Sequence, residues 1–191
     1  AGQTPGWRPL AAAGAALACA AMFARMAALV TIAAPGIGWG PVVIFVAMAA
    51  VGGVVGTFLA ARSSAEDLPE LQLGNPLQLR SALQFAAFLA TVMLAGRFLA
   101  DRFGDAGVML TAAASGLVDV DAITLSIGRL VDEGAVTAAS ATLALFIAAS
   151  VNQATKLVLL TSLDGKSLAW RVFPSYAAMA AVGFAVALAL T

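Results

Sequence analysis

Apolar runs of roughly 20 residues recur along this chain, and runs of that length with almost no charge have one natural solvent, the lipid bilayer. Lipid offers no hydrogen bonds to a peptide group, so only helices or closed barrels can cross it. The runs here are Ala/Leu/Val blocks rather than short alternating strands, which selects helices. Composition agrees, since 62% of the 191 residues are hydrophobic and 10% are charged. A soluble domain carries about a quarter charged residues. The expected fold is all-α, a polytopic integral membrane protein of about six transmembrane segments forming a single domain.

The first segment runs from Leu10 to Ala34, interrupted by Arg25 and ended by Pro35 and Gly36. The second covers Val42 to Ala61 and holds Gly52 and Gly56 in a GxxxG spacing that lets another helix come close. A polar connection over residues 62–76 follows, and Asn75-Pro76 opens the third segment, Leu77 to Ala100. The apolar stretch from Ala106 to Val118 is too short to span, and it runs directly into Asp119 and Asp121. That pattern leaves a complete helix with carboxylates inside the membrane or a broken or re-entrant helix, and the second is the expectation. The fifth segment, Val136 to Thr161, contains Asn152, Gln153 and Lys156; the sixth begins near Leu168 among Trp170, Phe173 and Tyr176, which suit a membrane interface.

With six crossings, Arg8, Arg62, Arg80 and Arg129 fall on one side and Arg97, Arg102, Lys166 and Arg171 on the other. Charge bias therefore gives no orientation. Setting Arg25 over Lys156 aligns MFARMAALV with QATKLVLLT, and simple alternation makes these helices parallel. A parallel internal repeat is the expectation, and transporter sites sit at such repeat interfaces.

Ionisable groups inside a membrane carry the functional information, because each costs roughly 2.5–3.5 kcal/mol on insertion scales unless paired or hydrated. Arg25, Asp119, Asp121 and Lys156 qualify. Residues two apart lie on opposite faces of a regular helix, so the two aspartates converge only if the backbone unwinds near Gly116. Unwinding also frees carbonyls, and carboxylates with carbonyls and hydroxyls make a hard-cation site. The expected cation-binding set is Asp119, Asp121, Thr124 and Asn152, with the two aspartates as metal ligands and Lys156 and Arg25 balancing charge. The structural alternative pairs one aspartate with Lys156 or Arg25 and caps the helix with the other, through Thr124. Lys156 lies four residues after Asn152 on one helix face and can serve as a counter-ion or occupy a cation site itself.

Other chemistry is excluded or unsupported. The net charge is zero, which argues against a nucleic-acid surface. There is no histidine, and the single cysteine, Cys19, sits in an apolar run and reads as a small buried hydrophobe. Met22, Phe23, Met26, Phe85 and Phe88 read as packing or lipid-facing side chains rather than a cofactor box. No phosphate loop or nucleophile elbow is visible, so the chain is not expected to be an enzyme, nor to carry a cofactor beyond a bound inorganic cation.

The runs NPLQLRSALQFA (Asn75 to Ala86) and DRFGDAGVMLTAAASGLVDVDAITLSIGRL (Asp101 to Leu130), the Asn152/Lys156 helix and the MFAR stretch around Arg25 together carry a family resemblance. The chain resembles the uncharacterised membrane domain that follows the MgtC/SapB-type domain in bacterial membrane proteins. An earlier segment of that family resembles a first copy of the motif held here by Asp119 to Ser126. The resemblance thus implies a repeat, and implies that a helix and an MgtC-like domain precede residue 1. The chain, which opens Ala1-Gly2-Gln3 without a signal peptide, is accordingly expected to be a fragment of a longer protein. The implied location is the bacterial inner membrane. The leading functional expectation is transport or sensing of an inorganic cation, divalent and magnesium-like, at the aspartate motif. The alternative is a non-catalytic scaffold or regulatory subunit, a homo-oligomer or part of a larger membrane complex, whose small-residue faces bind partners.

Overall fold

The computed structural model describes residues 7–63, 97–164 and 166–190, with Ala87, Ala90, Thr91, Leu94 and Ala95 between the first two stretches. Helix α1 spans Trp7–Ala33 and α2 spans Trp39–Ala61, joined by a 3₁₀ turn at Pro35–Ile37. Residues 97–103 are helical and lead into α3, Asp105–Gly116; α4 covers Asp121–Asp132, α5 Ala138–Asp164 and α6 Lys166–Ala189. Among the described residues all regular structure is helical. The expected connection from Ser64 onward and most of the third segment, with Arg80, Phe85 and Phe88, lie outside the described residues.

Local chemistry explains the boundaries. Alanine and leucine dominate α1 and favour helix, while Pro35 disfavours helical backbone at the residue before it. Ala34 accordingly leaves the helix at φ −142°. Gly104 takes φ +55° in the tight turn before α3, a conformation glycine adopts at little cost. Among the described residues four helices are long and apolar enough to cross a bilayer: Arg8–Ala33, Trp39–Ala61, Ala138–Thr161 and Ser167–Ala189. Their outward faces leave Ile32, Val54, Phe58, Val158 and Phe184 exposed, as lipid contact requires. The chain is a helical membrane protein.

The path of α3 and α4 is that of a helical hairpin dipping into the bundle. Each helix has 12 residues, about 18 Å of length, which cannot traverse a core of about 30 Å. At its far end α4 packs Gly128 against Ala34 and Asp132 against Gly36, beside the Pro35 turn. The start of α3 lies at that same end, because Arg97 just before it is ion-paired with Glu133 just after α4. The tip, Leu117 to Val120, lies at mid-bundle, where Gly116 meets the Ala148 carbonyl of α5.

This hairpin reverses the expected relation between α1 and α5. Gly40, at the Pro35 end, approaches Thr142 near the start of α5, whereas Lys156 further along α5 reaches Met22 and Cys19. The two helices therefore run antiparallel. Simple alternation counted the aspartate segment as a crossing; the hairpin returns to the side it entered, so the parallel arrangement does not hold.

Glycines set the closest contacts. A side chain at Gly52 would meet Met179 Cε at 2.9 Å and Ala20 Cβ at 3.1 Å, and one at Gly56 would meet Leu17. The GxxxG pair is thus spent inside the chain, against α1 and α6. A side chain at Gly183 would meet Met48 Sδ at 2.6 Å in the reciprocal contact. Phe23 and Phe45 stack with centroids 6.2 Å apart in the α1–α2 core. Replacing Gly116 by alanine puts a methyl 2.5 Å from the Ala148 carbonyl oxygen, a backbone atom that cannot rotate away. Gly116→Ala is expected to cost about 1–3 kcal/mol, and thermal unfolding of the detergent-solubilised protein, with Gly53→Ala in open space as the control, checks it.

Candidate functional site: a charged cleft at a helix break

The break follows from what α3 has on either side of it. Ser115 O accepts the N–H groups of Val118 (2.9 Å) and Asp119 (2.8 Å), closing the last turn of α3. Asp119 Oδ2 then accepts the Ala122 N–H at 3.3 Å and so starts α4 as a cap. Asp121 is the first residue of α4, where a carboxylate is favoured by the helix dipole.

Two neighbouring helices complete the site. From α1, Arg25 Nη2 lies 3.0 Å from Asp121 Oδ2. From α5, Asn152 Nδ2 donates to Gly116 O at 3.0 Å, satisfying a carbonyl freed by the break. Lys156 Nζ lies 3.1 Å from Met22 Sδ and 4.0 Å from Cys19 Sγ. Ala18, Ala21, Met22, Arg25, Val118, Asp119, Val120, Asn152 and Lys156 line an open cleft of about 460 Å³. Five further features define its chemistry. Asp121 Oδ1 and Asn152 Oδ1 are both buried acceptors without a donor among the described residues. Both aspartates and both cations sit at one break, so the local charge sums to zero. Sulfur is a weak hydrogen-bond acceptor, so Lys156 holds no strong partner among those shown. Arg25 is half exposed, giving the cleft a wet side. Hydrophobic Val118 and Val120 flank Asp119 and keep the rest apolar.

Of the residues singled out from sequence, Arg25, Asp119, Asn152 and Lys156 line this cleft, and Asp121 joins it through Arg25. Thr124 stands apart: it is fully buried and donates its hydroxyl to Val120 O at 2.7 Å, within its own helix. The cap on α4 comes from Asp119 to Ala122, not through Thr124. Among the described residues no three Asp, Glu, Cys or His side chains gather as a metal cluster. A cation held here would draw on Asp119, Asp121 Oδ1, Asn152 Oδ1, backbone carbonyls and water. Sequence reasoning missed the sulfur pair beneath Lys156; an interhelical hydrogen bond was the structural expectation for Asn152, and its partner is Gly116 O. Sequence reasoning also missed Gln153, buried in α5 with Nε2 3.5 Å from Met179 Sδ. Cys19 is buried, as expected.

A discontinuous helix whose tip meets opposed charges inside a bundle defines a class: helical membrane proteins with a polar site at mid-depth. The chain belongs to the family described as Domain of unknown function (DUF4010), whose model matches residues 1–164 and therefore includes every residue of the cleft. An uncharacterized protein of Aquifex aeolicus (strain VF5) is 30% identical over 95 residues. Those residues are 50% of this chain and 41% of the relative, so the match spans about two fifths of that protein. No solved structure matches the chain.

The Arg25–Asp121 pair is partly shielded, between the exposed regime, worth about 0–1 kcal/mol, and the buried one, where losing a partner costs about 3–5 kcal/mol. Arg25→Gln is expected to destabilise the protein by roughly 2 kcal/mol. Adding Asp121→Asn should recover part of that loss, since the orphaned carboxylate is then neutral. Chemical denaturation of the two single variants and the double variant, read as a double-mutant cycle, checks the coupling.

Proposed function

We propose that this chain passes or senses an inorganic cation at the cleft around the α3–α4 break, in a bacterial inner membrane. The observation that carries the reading is the buried Asn152 Oδ1, without a donor among the described residues, in one cleft with the Asp119 carboxylate; Asp121 Oδ1, two residues further on, is a second such acceptor. Carboxylate and amide oxygens are hard ligands that suit magnesium or calcium better than soft metals. Two carboxylates balance a divalent ion once Arg25 and Lys156 turn aside, and magnesium in particular keeps several waters and needs only one or two carboxylates. A cleft of about 460 Å³ has room for such a hydrated ion. The resemblance to the domain that follows MgtC/SapB-type domains supports the same ion. Discontinuous helices with their ends at mid-depth are the usual way membrane proteins present such sites.

A second reading has its own observation. Asp121 pairs with Arg25 and Asp119 caps α4, so both carboxylates also serve to hold helices together. On that reading the chain is a non-catalytic scaffold or regulatory subunit, and the charges fix register rather than bind an ion.

Cation flux into proteoliposomes separates the two. The full-length protein is expected to pass magnesium, reported by a trapped magnesium-sensitive dye, and the Asp119→Asn/Asp121→Asn variant to lose at least tenfold of the rate while still folding. Calcium, manganese and potassium in the same assay rank the ions. Equal rates in protein-containing and empty vesicles, across all four ions, favour the scaffold.

A further inference from the structure

The register that sets Arg25 over Lys156 extends much further than those two helices. It lays Trp7–Ala33 on Ala138–Asp164, so that α1 and α5 coincide from end to end. It then lays Trp39 on Trp170, Phe45 on Tyr176 and Met48-Ala49-Ala50-Val51-Gly52 on Met179-Ala180-Ala181-Val182-Gly183, an identical pentapeptide. Packing repeats the correspondence. Met179 lies against Gly52 and Met48 against Gly183, which is the exchange that a two-fold axis produces. Because α1 and α5 run antiparallel, the axis lies across the helices, in the membrane plane. The α1–α2 and α5–α6 hairpins therefore have the relation of inverted-topology copies, and their interface is where such proteins hold substrates.

Within that symmetry Arg25 and Lys156 are equivalent positions reaching one cleft from opposite copies. Their surroundings differ. Arg25 has a carboxylate, Asp121, at 3.0 Å. Lys156 has Met22 Sδ and Cys19 Sγ, while the amide oxygen of Asn152, one turn away on its own helix, is buried and has no donor among the described residues. An ammonium on a flexible four-carbon stem is a point charge that can turn between nearby partners, whereas Arg25 already has its carboxylate through one N–O contact.

Resting on the cation reading above, we propose that Lys156 is the cleft's own exchangeable cation. Its ammonium lies on the two sulfurs when an inorganic cation takes the Asn152 and Asp121 oxygens, and turns onto those oxygens when the ion leaves. The ligand class is a small inorganic cation that competes with an ammonium, and Lys156 sets its apparent affinity by that competition.

The test is a calorimetric titration of magnesium into the purified full-length protein and its Lys156→Gln and Lys156→Arg variants. The glutamine variant is expected to bind on the order of tenfold more tightly, the size of a typical coupling between competing ligands. The arginine variant should bind no more tightly than the parent. Lys156→Met, which packs on the same sulfurs without charge, repeats the measurement should the glutamine variant not fold. Parent and uncharged variants binding magnesium with equal affinity overturns the exchange while leaving the cation reading intact. Absence of magnesium binding in the parent and the uncharged variants alike overturns both.

Discussion

An unwound stretch of backbone at mid-depth of an apolar bundle must find partners for its peptide groups within the protein, because lipid supplies none. The tip between α3 and α4 meets that requirement from three directions. Asn152 takes the Gly116 carbonyl, Asp119 takes the Ala122 N–H, and Ser115 O takes two further N–H groups. Asn152 is placed by the spanning helix α5, while Ser115 and Asp119 belong to the hairpin itself. The cleft follows from this arrangement, since side chains that reach a helix break from several sides leave space between them.

Close approach is the second requirement, and small residues meet it. Gly116 lets the tip rest on the α5 backbone, and Gly128 lets α4 rest on Ala34. Gly52 and Gly183 admit a methionine each from the opposite hairpin. Association of helices in lipid relies on such packing, because burying apolar surface gains little when the solvent is itself apolar. Arg97 closes the bundle at the Pro35 end by bonding Asp101 on its own helix and Glu133 after α4.

Much of this was legible in the sequence. Helix content, the helical membrane class and the break near Gly116 follow from apolar run lengths and from two carboxylates after a run too short to span. Arg25, Asp119, Asp121, Asn152 and Lys156 stood out because charge and amide groups are rare and costly in such runs. The direction of α5 did not follow, because a hairpin and a crossing use the same residue types, and tertiary contacts such as Gly128 with Ala34 and Gly40 with Thr142 separate them. Thr124 was misplaced for a related reason: helical spacing puts it on the Asp121 face, but a buried threonine hydroxyl satisfies itself on the carbonyl four residues back. The sulfurs under Lys156 carry no sequence signal, since methionine in an apolar helix is ordinary packing. The pentapeptide shared by α2 and α6 was not singled out from sequence, because in a composition so rich in alanine and glycine it acquires weight only from the reciprocal contact.

The hairpin also alters parity. A segment that enters and leaves by one face contributes no crossing, so everything after it changes sides relative to a count of hydrophobic runs. Arg129 then belongs with Arg97 and Arg102 at the Pro35 end, while the beginning of α6, with Lys166 and Arg171, joins Arg8 and Arg62 at the other. Among these described residues the division is three at the Pro35 end against four at the other, too close for the positive-inside tendency to set a direction, and the aspartate tip enters the bundle from the Pro35 end.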